Sequence, residues 1–168
     1  MYLRILVPVD GSDASSRGLK EAIKIAKEHG SKLRLVHVVR APMLDYGYNS
    51  GSRREDVIAS LCENGKNILN RAETTARQEG LAPECLMFES VVGPAADVIL
   101  AQAKQWPADL IVMGAHAHGG SARVGSDTAQ VLAEAVVPIL LVGGTQVSSA
   151  ASQHRAIEYA SVASPSAG

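Results

Sequence analysis

Apolar residues in this chain fall into short continuous runs, separated by stretches in which they recur every three or four positions. The first run, LRILVPV at residues 3–9, is rich in branched side chains and predicts a strand. It ends at Asp10-Gly11-Ser12-Asp13, a turn whose Ser and Asp suit the cap of a following helix. Leu19, Ala22, Ile23 and Ala26 then share one helical face, and Gly30 stands where a glycine closes a helix. Lys32 to Arg40 is the second strand, and Ala41 to Ser52 a long loop. The longest periodic segment runs from Arg54 to Glu79, with Val57, Leu61, Ile68 and Ala72 on its apolar side. Gly65 is an interior weakness of that helix and Gly80 ends it. Leu86 to Val92 reads as the third strand. A helix then starts at Gly93-Pro94, turns Val98, Ile99 and Ala103 inward, and stops at Trp106-Pro107.

The stretch from Asp109 to Val142 organises the rest. Its apolar run Leu110 to Met113 breaks at Gly114 into a loop rich in glycine and histidine, which ends at Gly125-Ser126. Ala129, Leu132, Ala133 and Val136 recur at helical spacing and predict one apolar face. Pro138 opens the last run, Ile139 to Val142. Continuous apolar strands alternating with helices predict an α/β protein, an open parallel five-stranded sheet with helices on both faces. The strand order 3-2-1-4-5 is the doubly wound arrangement this pattern suggests. After Gly143-Gly144 the composition shifts to Ser and Ala. Residues 1–144 are therefore expected to be one domain, and 145–168 a mostly disordered tail, in which Ile157 and Tyr159 would be the anchors if it docks.

Composition narrows the function classes. The 168 residues are 46% hydrophobic and 20% charged, as in an ordinary globular domain. A net charge of −1 gives no bulk attraction to nucleic acid or an anionic membrane, and 4% aromatics make no platform for stacking bases. Cys62 and Cys85 form no CxxC and read as reduced thiols. The N-terminal apolar run is too short for a secretory core or a membrane span, so the expected location is cytoplasmic.

Candidate chemistry gathers at the two glycine turns. Gly125-Ser126 at a helix start offers backbone N–H groups, a hydroxyl and the positive end of a helix dipole, which suit an anion. The same residues also make a plain strand-to-helix turn. In the order 3-2-1-4-5, strands 1 and 4 are neighbours at the switch point, where such sheets bind ligands. Asp10 and the Gly114 loop would then face one crevice, with His37 and Val38 nearby, and an acidic side chain there suits ribose hydroxyls. His116 and His118 are too weak a pair for a metal, with no Cys or carboxylate close by in sequence. Arg123 either meets a phosphate or sits in water, and His37 reads as a core histidine. Ser121 or Ser126 beside these histidines lacks an orienting acid, and no Walker-type lysine follows the loop, so no catalytic group is assigned.

The pieces ILVPVDGSD, LVHVV, DLIVMG and GSDTAQVLAEAVVPILLV, in this order, resemble the universal stress protein family over residues 1–143. The resemblance implies a Rossmann-like, adenine nucleotide alpha-hydrolase-like fold and a homodimer paired through the fifth strand, Ile139 to Val142. One branch of that family binds ATP through a Pro-x-Asp after strand one, a Val on strand two and a glycine loop after strand four. Pro8, Val9 and Asp10 match the first element, Val38 the second, and Gly114 with Gly125-Ser126 the ends of the third. Met113, His116, Gly119 and Gly120 complete the implied cofactor-binding set, with Mg2+ accompanying only a triphosphate. Two departures stand out: Ala117 replaces the second glycine, and the loop is two residues shorter than the family pattern. The implied role is a stress-response regulatory module that binds ATP or another adenine nucleotide and signals to a protein partner. A nucleotide-free dimeric scaffold is the alternative, and a slow ATP hydrolase a weaker one.

Overall fold

A computed structural model describes residues 1–40, 51–90, 93–118, 121–123 and 125–143. The expected tail, residues 145–168, lies outside them, as does most of the loop at 41–52. The chain runs β1 (Arg4–Pro8), α1 (Asp13–His29), β2 (Lys32–Arg40), α2 (Gly51–Gln78), β3 (Glu84–Ser90) and α3 (Ala95–Gln105). It continues with β4 (Leu110–Gly114), β5 (His116–His118), β6 (Ser121–Arg123), α4 (Ser126–Glu134) and β7 (Ile139–Val142).

β3, β2, β1, β4 and β7 form one five-stranded sheet in that order, every pairing parallel. This is the order expected from the sequence, with β7 as the fifth strand. Each face of the sheet has its own core. On one, Ile5, Val7, Leu35 and Val112 meet Leu19, Ala22, Ile23 and Ala26 of α1 and Ile68, Leu69, Ala72 and Ala76 of α2. On the other, Leu6, Val36 and Ile111 meet Ala96, Ile99 and Ala103 of α3 and Val131 of α4. Two opposite cores explain why the strands carry apolar residues at consecutive rather than alternate positions. The Asp109 carboxylate ties the start of β4 to the N-terminus, accepting hydrogen bonds from the backbone N–H groups of Leu3 and Arg4.

α1 follows its sequence closely. Ser12 Oγ accepts a hydrogen bond from Ser15 N–H at 3.1 Å, and Gly30 closes the helix in the left-handed region at φ 67°. α2 departs from expectation. Its packed residues are Ile68, Leu69, Ala72 and Ala76, whereas Val57 is exposed and Leu61 half-buried. The reason is length: 28 residues make a rod of about 42 Å, while the nine-residue β2 beneath it spans about 30 Å. The first turns of α2 therefore overrun the sheet.

α4 also corrects the sequence reading. Ala129, Leu132 and Ala133 face outward, Val136 is 94% exposed, and Val131 is the residue buried against the sheet. The helix ends at Glu134 and Ala135 is already extended, so Val136 belongs to the connection into β7. β3 begins at Glu84 rather than Leu86, and a short antiparallel pair, β5 with β6, stands inside the segment read as loop.

Candidate functional site

At the carboxyl ends of β1, β2 and β4, the helices diverge and leave a cavity of about 210 Å³. The turn after β1 forms one wall. Val9 continues the ladder by donating its N–H to the Val36 carbonyl, and the chain then reverses through Gly11 at φ 82°. The Asp10 carboxylate accepts the Ser12 N–H at 2.8 Å, and Ser15 Oγ accepts the Asp10 N–H at 3.2 Å. These bonds fix the turn with Asp10 exposed at the cavity. β2 supplies Val38 and the buried His37, whose Nδ1–H donates to the Val9 carbonyl at 2.7 Å. That bond makes His37 the core histidine the sequence suggested. Gly65 lies over its ring, and a Cβ there would stand 2.8 Å from Cδ2. The apparent weakness in α2 is the point where the helix crosses His37.

β4 supplies Met113 and Gly114. Gly114 has a second function, because a Cβ on it would collide with the backbone carbonyl of Ala14. Gly18 on α1 meets the same point from above, where a Cβ would lie 2.9 Å from Gly114 N. Helix and strand touch backbone to backbone there.

The third wall is the start of α4, with Gly125, Ser126, Asp127 and Thr128. The N-terminal ends of α1, α3 and α4 all contribute to the lining, through Ser12 and Ser15, Ala95, and Gly125 to Thr128. Helix N-termini carry partial positive charge and first-turn N–H groups without intrahelical partners. Ser12 caps α1 with its side chain, whereas Pro94 and Gly125 provide no side-chain cap. Asp127 is half-buried. Its Oδ1 accepts the Ala96 N–H at 3.3 Å, and its Oδ2 pairs with Arg40 Nη1 at 3.4 Å. Among the described residues the lining holds two carboxylates, Asp10 and Asp127, and no lysine or arginine.

Pro8, Val9, Asp10, Val38, Met113, Gly114, Gly125 and Ser126 thus line one cavity, drawn from three strands and a helix start. Gly119 and Gly120 lie outside the described residues, and so does the side chain of His116, whose backbone belongs to β5. Sequence reasoning placed the turn containing Ser12 at the crevice but passed over Ser15, Val36, Asp127, Thr128, Ala95 and Ile99 as lining. Asp127 and Thr128 were within reach, since they follow Gly125-Ser126 in the same helical turn. Ala95 and Ile99 depend on where α3 crosses the sheet, for which no local signal exists. Among the described residues no group of three or more His, Cys, Asp or Glu is arranged to hold a metal ion, and no helix is long and apolar enough to cross a membrane.

An open doubly wound sheet with a cavity at its switch point, walled by a Pro-x-Asp turn and a Gly-Ser helix start, defines a class of small ligand-binding α/β proteins. Within it, residues 1–143 match the model of the universal stress protein family, and the chain belongs to that family. It is similar to a universal stress protein of Methanocaldococcus jannaschii, 33% identical over 145 residues that cover 84% of this chain and 82% of the relative. Among solved structures, one from Burkholderia pseudomallei superposes with a TM-score of 0.68 at 28% identity, covering 84% of this chain and 96% of the other. A universal stress protein from Archaeoglobus fulgidus in complex with dAMP superposes with a TM-score of 0.59 at 27% identity, covering 84% and 98%.

Proposed function

We propose that this chain is a stress-response regulatory module of the cytoplasm that binds an adenine nucleotide in the cavity at the ends of β1 and β4. Gly125 carries the reading. Its φ of −62° suits any residue, and a Cβ there would meet nothing within 4 Å among the described residues, so these make no demand for glycine. A side-chain cap such as Ser or Asp would stabilise α4 better. A bare backbone at a helix start is what a phosphate needs for close approach. Asp10 then takes ribose hydroxyls, Val38 packs on the base, and Gly125 with Ser126 holds phosphate. Pro8, Val9, Met113 and Gly114 form the floor, and the cofactor-binding set read from the sequence adds His116 with Gly119 and Gly120 as part of the phosphate cradle. The dAMP complex of the Archaeoglobus relative supports an adenine nucleotide as ligand. ATP with Mg2+ is the larger member of the same class. No residue is assigned to catalysis.

A homodimer paired through β7, with a regulatory protein as its partner, belongs to the same proposal. β7 pairs with β4 on one side, and its four residues are all half-buried. The second reading, a nucleotide-free dimeric scaffold, is favoured by Ala117 and by the short loop. Mass spectrometry of small molecules released on denaturing the purified protein separates the two. The nucleotide reading expects adenosine phosphates in stoichiometric amount, lost in Gly125→Val while the dimer persists. An empty extract, with no calorimetric response to AMP or ATP, refutes it.

A further inference from the structure

We infer that Asp127 limits the site to adenine ligands carrying at most one phosphate, because its carboxylate already occupies the position a further phosphate would take. The inference rests on the nucleotide reading above and adds the ligand's charge. Phosphates at the mouth of this cavity would recruit two resources: N–H groups at the helix starts and a nearby cation. At the start of α3, the Ala96 N–H already points to Asp127 Oδ1 at 3.3 Å. The cation at the end of β2, Arg40, is already on Oδ2 at 3.4 Å. Asp127 is therefore an anion supplied by the protein, held between the two groups that would bind one from solution.

Charge points the same way. The described lining carries Asp10 and Asp127 without a lysine or arginine. All three converging helices bear an acid in the first turn, namely Asp13, Asp97 and Asp127, which offsets the positive ends of their dipoles. Among the described residues, what remains for the ligand is the start of α4, where Gly125 exposes backbone and Ser126 a hydroxyl. A first phosphate would take these groups. A second and third would approach the Asp127 carboxylate, and like charges a few ångströms apart repel strongly in a partly dry site.

Calorimetric titration of the full chain with adenosine, AMP and ATP, each with Mg2+ present, tests this. The unmodified protein is expected to bind AMP more tightly than ATP. Asp127→Asn keeps the side chain's shape and an acceptor for the Ala96 N–H, and should raise ATP affinity relative to AMP about tenfold, the scale of one removed like-charge contact. Asp127→Ser, equally suited to a helix first turn, should act in the same direction. Adding Arg40→Gln to Asp127→Asn should cancel the gain, because the freed guanidinium is what the added phosphates would use. ATP binding as tightly as AMP in the unmodified protein overturns the inference. So does a loss of ATP affinity in Asp127→Asn, which would make the carboxylate a ligand for the cation or for ribose. If neither adenosine, AMP nor ATP binds any of these proteins, the nucleotide reading fails and this inference with it.

Discussion

Replacing Gly114 by alanine should damage the fold far more than replacing Gly125, although both glycines border the same cavity. At Gly114 an added methyl runs into the Ala14 carbonyl and comes within 2.7 Å of Ser15 N. These are backbone atoms near the start of α1, so no side chain can rotate aside. Inserting a methylene into a packed core costs typically about 1–3 kcal/mol when side chains can adjust. Here α1 must lift off β4 as a unit and loosen Leu19, Ala22 and Ile23 beneath it, so about 3 kcal/mol or more is expected. For a domain of this size that is a fall of about 6–12 °C in Tm. At Gly125 the methyl meets nothing within 4 Å among the described residues, and the backbone is in an ordinary extended conformation. Gly125→Ala should therefore cost about 1 kcal/mol or less, the scale of a changed helix cap. Thermal and urea unfolding of both variants, followed by circular dichroism, reads the difference directly. A Gly114→Ala protein as stable as the unmodified chain would refute the backbone contact between α1 and β4.

The orientation of α4 and the state of Cys85 give two more expectations. Val131 is fully buried while Leu132 is 43% exposed, so Val131→Ala should cost about 2 kcal/mol and Leu132→Ala about 0.5 kcal/mol or less in urea unfolding. The reverse ranking would restore the face first read from the sequence. Burial, reinforced by the nearby Glu73 carboxylate, pushes the Cys85 thiol up to about 11. The unfolded chain gives up this proton near the ordinary thiol range while the folded one retains it. Stability should therefore fall as pH rises from about 9 to about 11, and Cys85→Ala should flatten that slope. Iodoacetamide should also modify Cys85 in the folded protein more slowly at pH 9 than in urea, and equal rates would contradict the shift.

Helices α1 and α4 show what the sequence could and could not carry. In α1 everything needed is local: Ser12 to cap, Leu19, Ala22, Ile23 and Ala26 on one face, and Gly30 to close. In α4 the apolar residues are dense enough to draw two faces. Which one turns inward depends on α3, whose Ala96 and Asp97 reach across to Asp127 and Gln130 through hydrogen bonds over thirty positions apart. Pairings of that range leave no periodic trace. The same division holds at the cavity. Pro8, Asp10 and Gly125-Ser126 stood out because turns and helix starts have their own residue chemistry. Asp127 was within reach in the same turn, but its bonds to Arg40 and Ala96 emerge only when β2, α3 and α4 come together. Gly114 was read for one reason and the fold supplies a second, since a glycine in a loop says nothing about which neighbour demands it.

The meeting of Gly18 with Gly114 also gives the cavity one jaw joined to the sheet backbone to backbone and another held through side chains. Asp10, Ser12, Ser15 and Gly114 stand on a junction without slack, where any displacement forces main chain into main chain. The opposing jaw, Gly125 to Thr128, rides on a nine-residue helix secured by Val131 and a few polar contacts. Four residues after that helix ends, the chain enters β7 at the rim of the sheet. The helix start that faces the ligand and the strand at the rim of the sheet are thus joined by a single short connection.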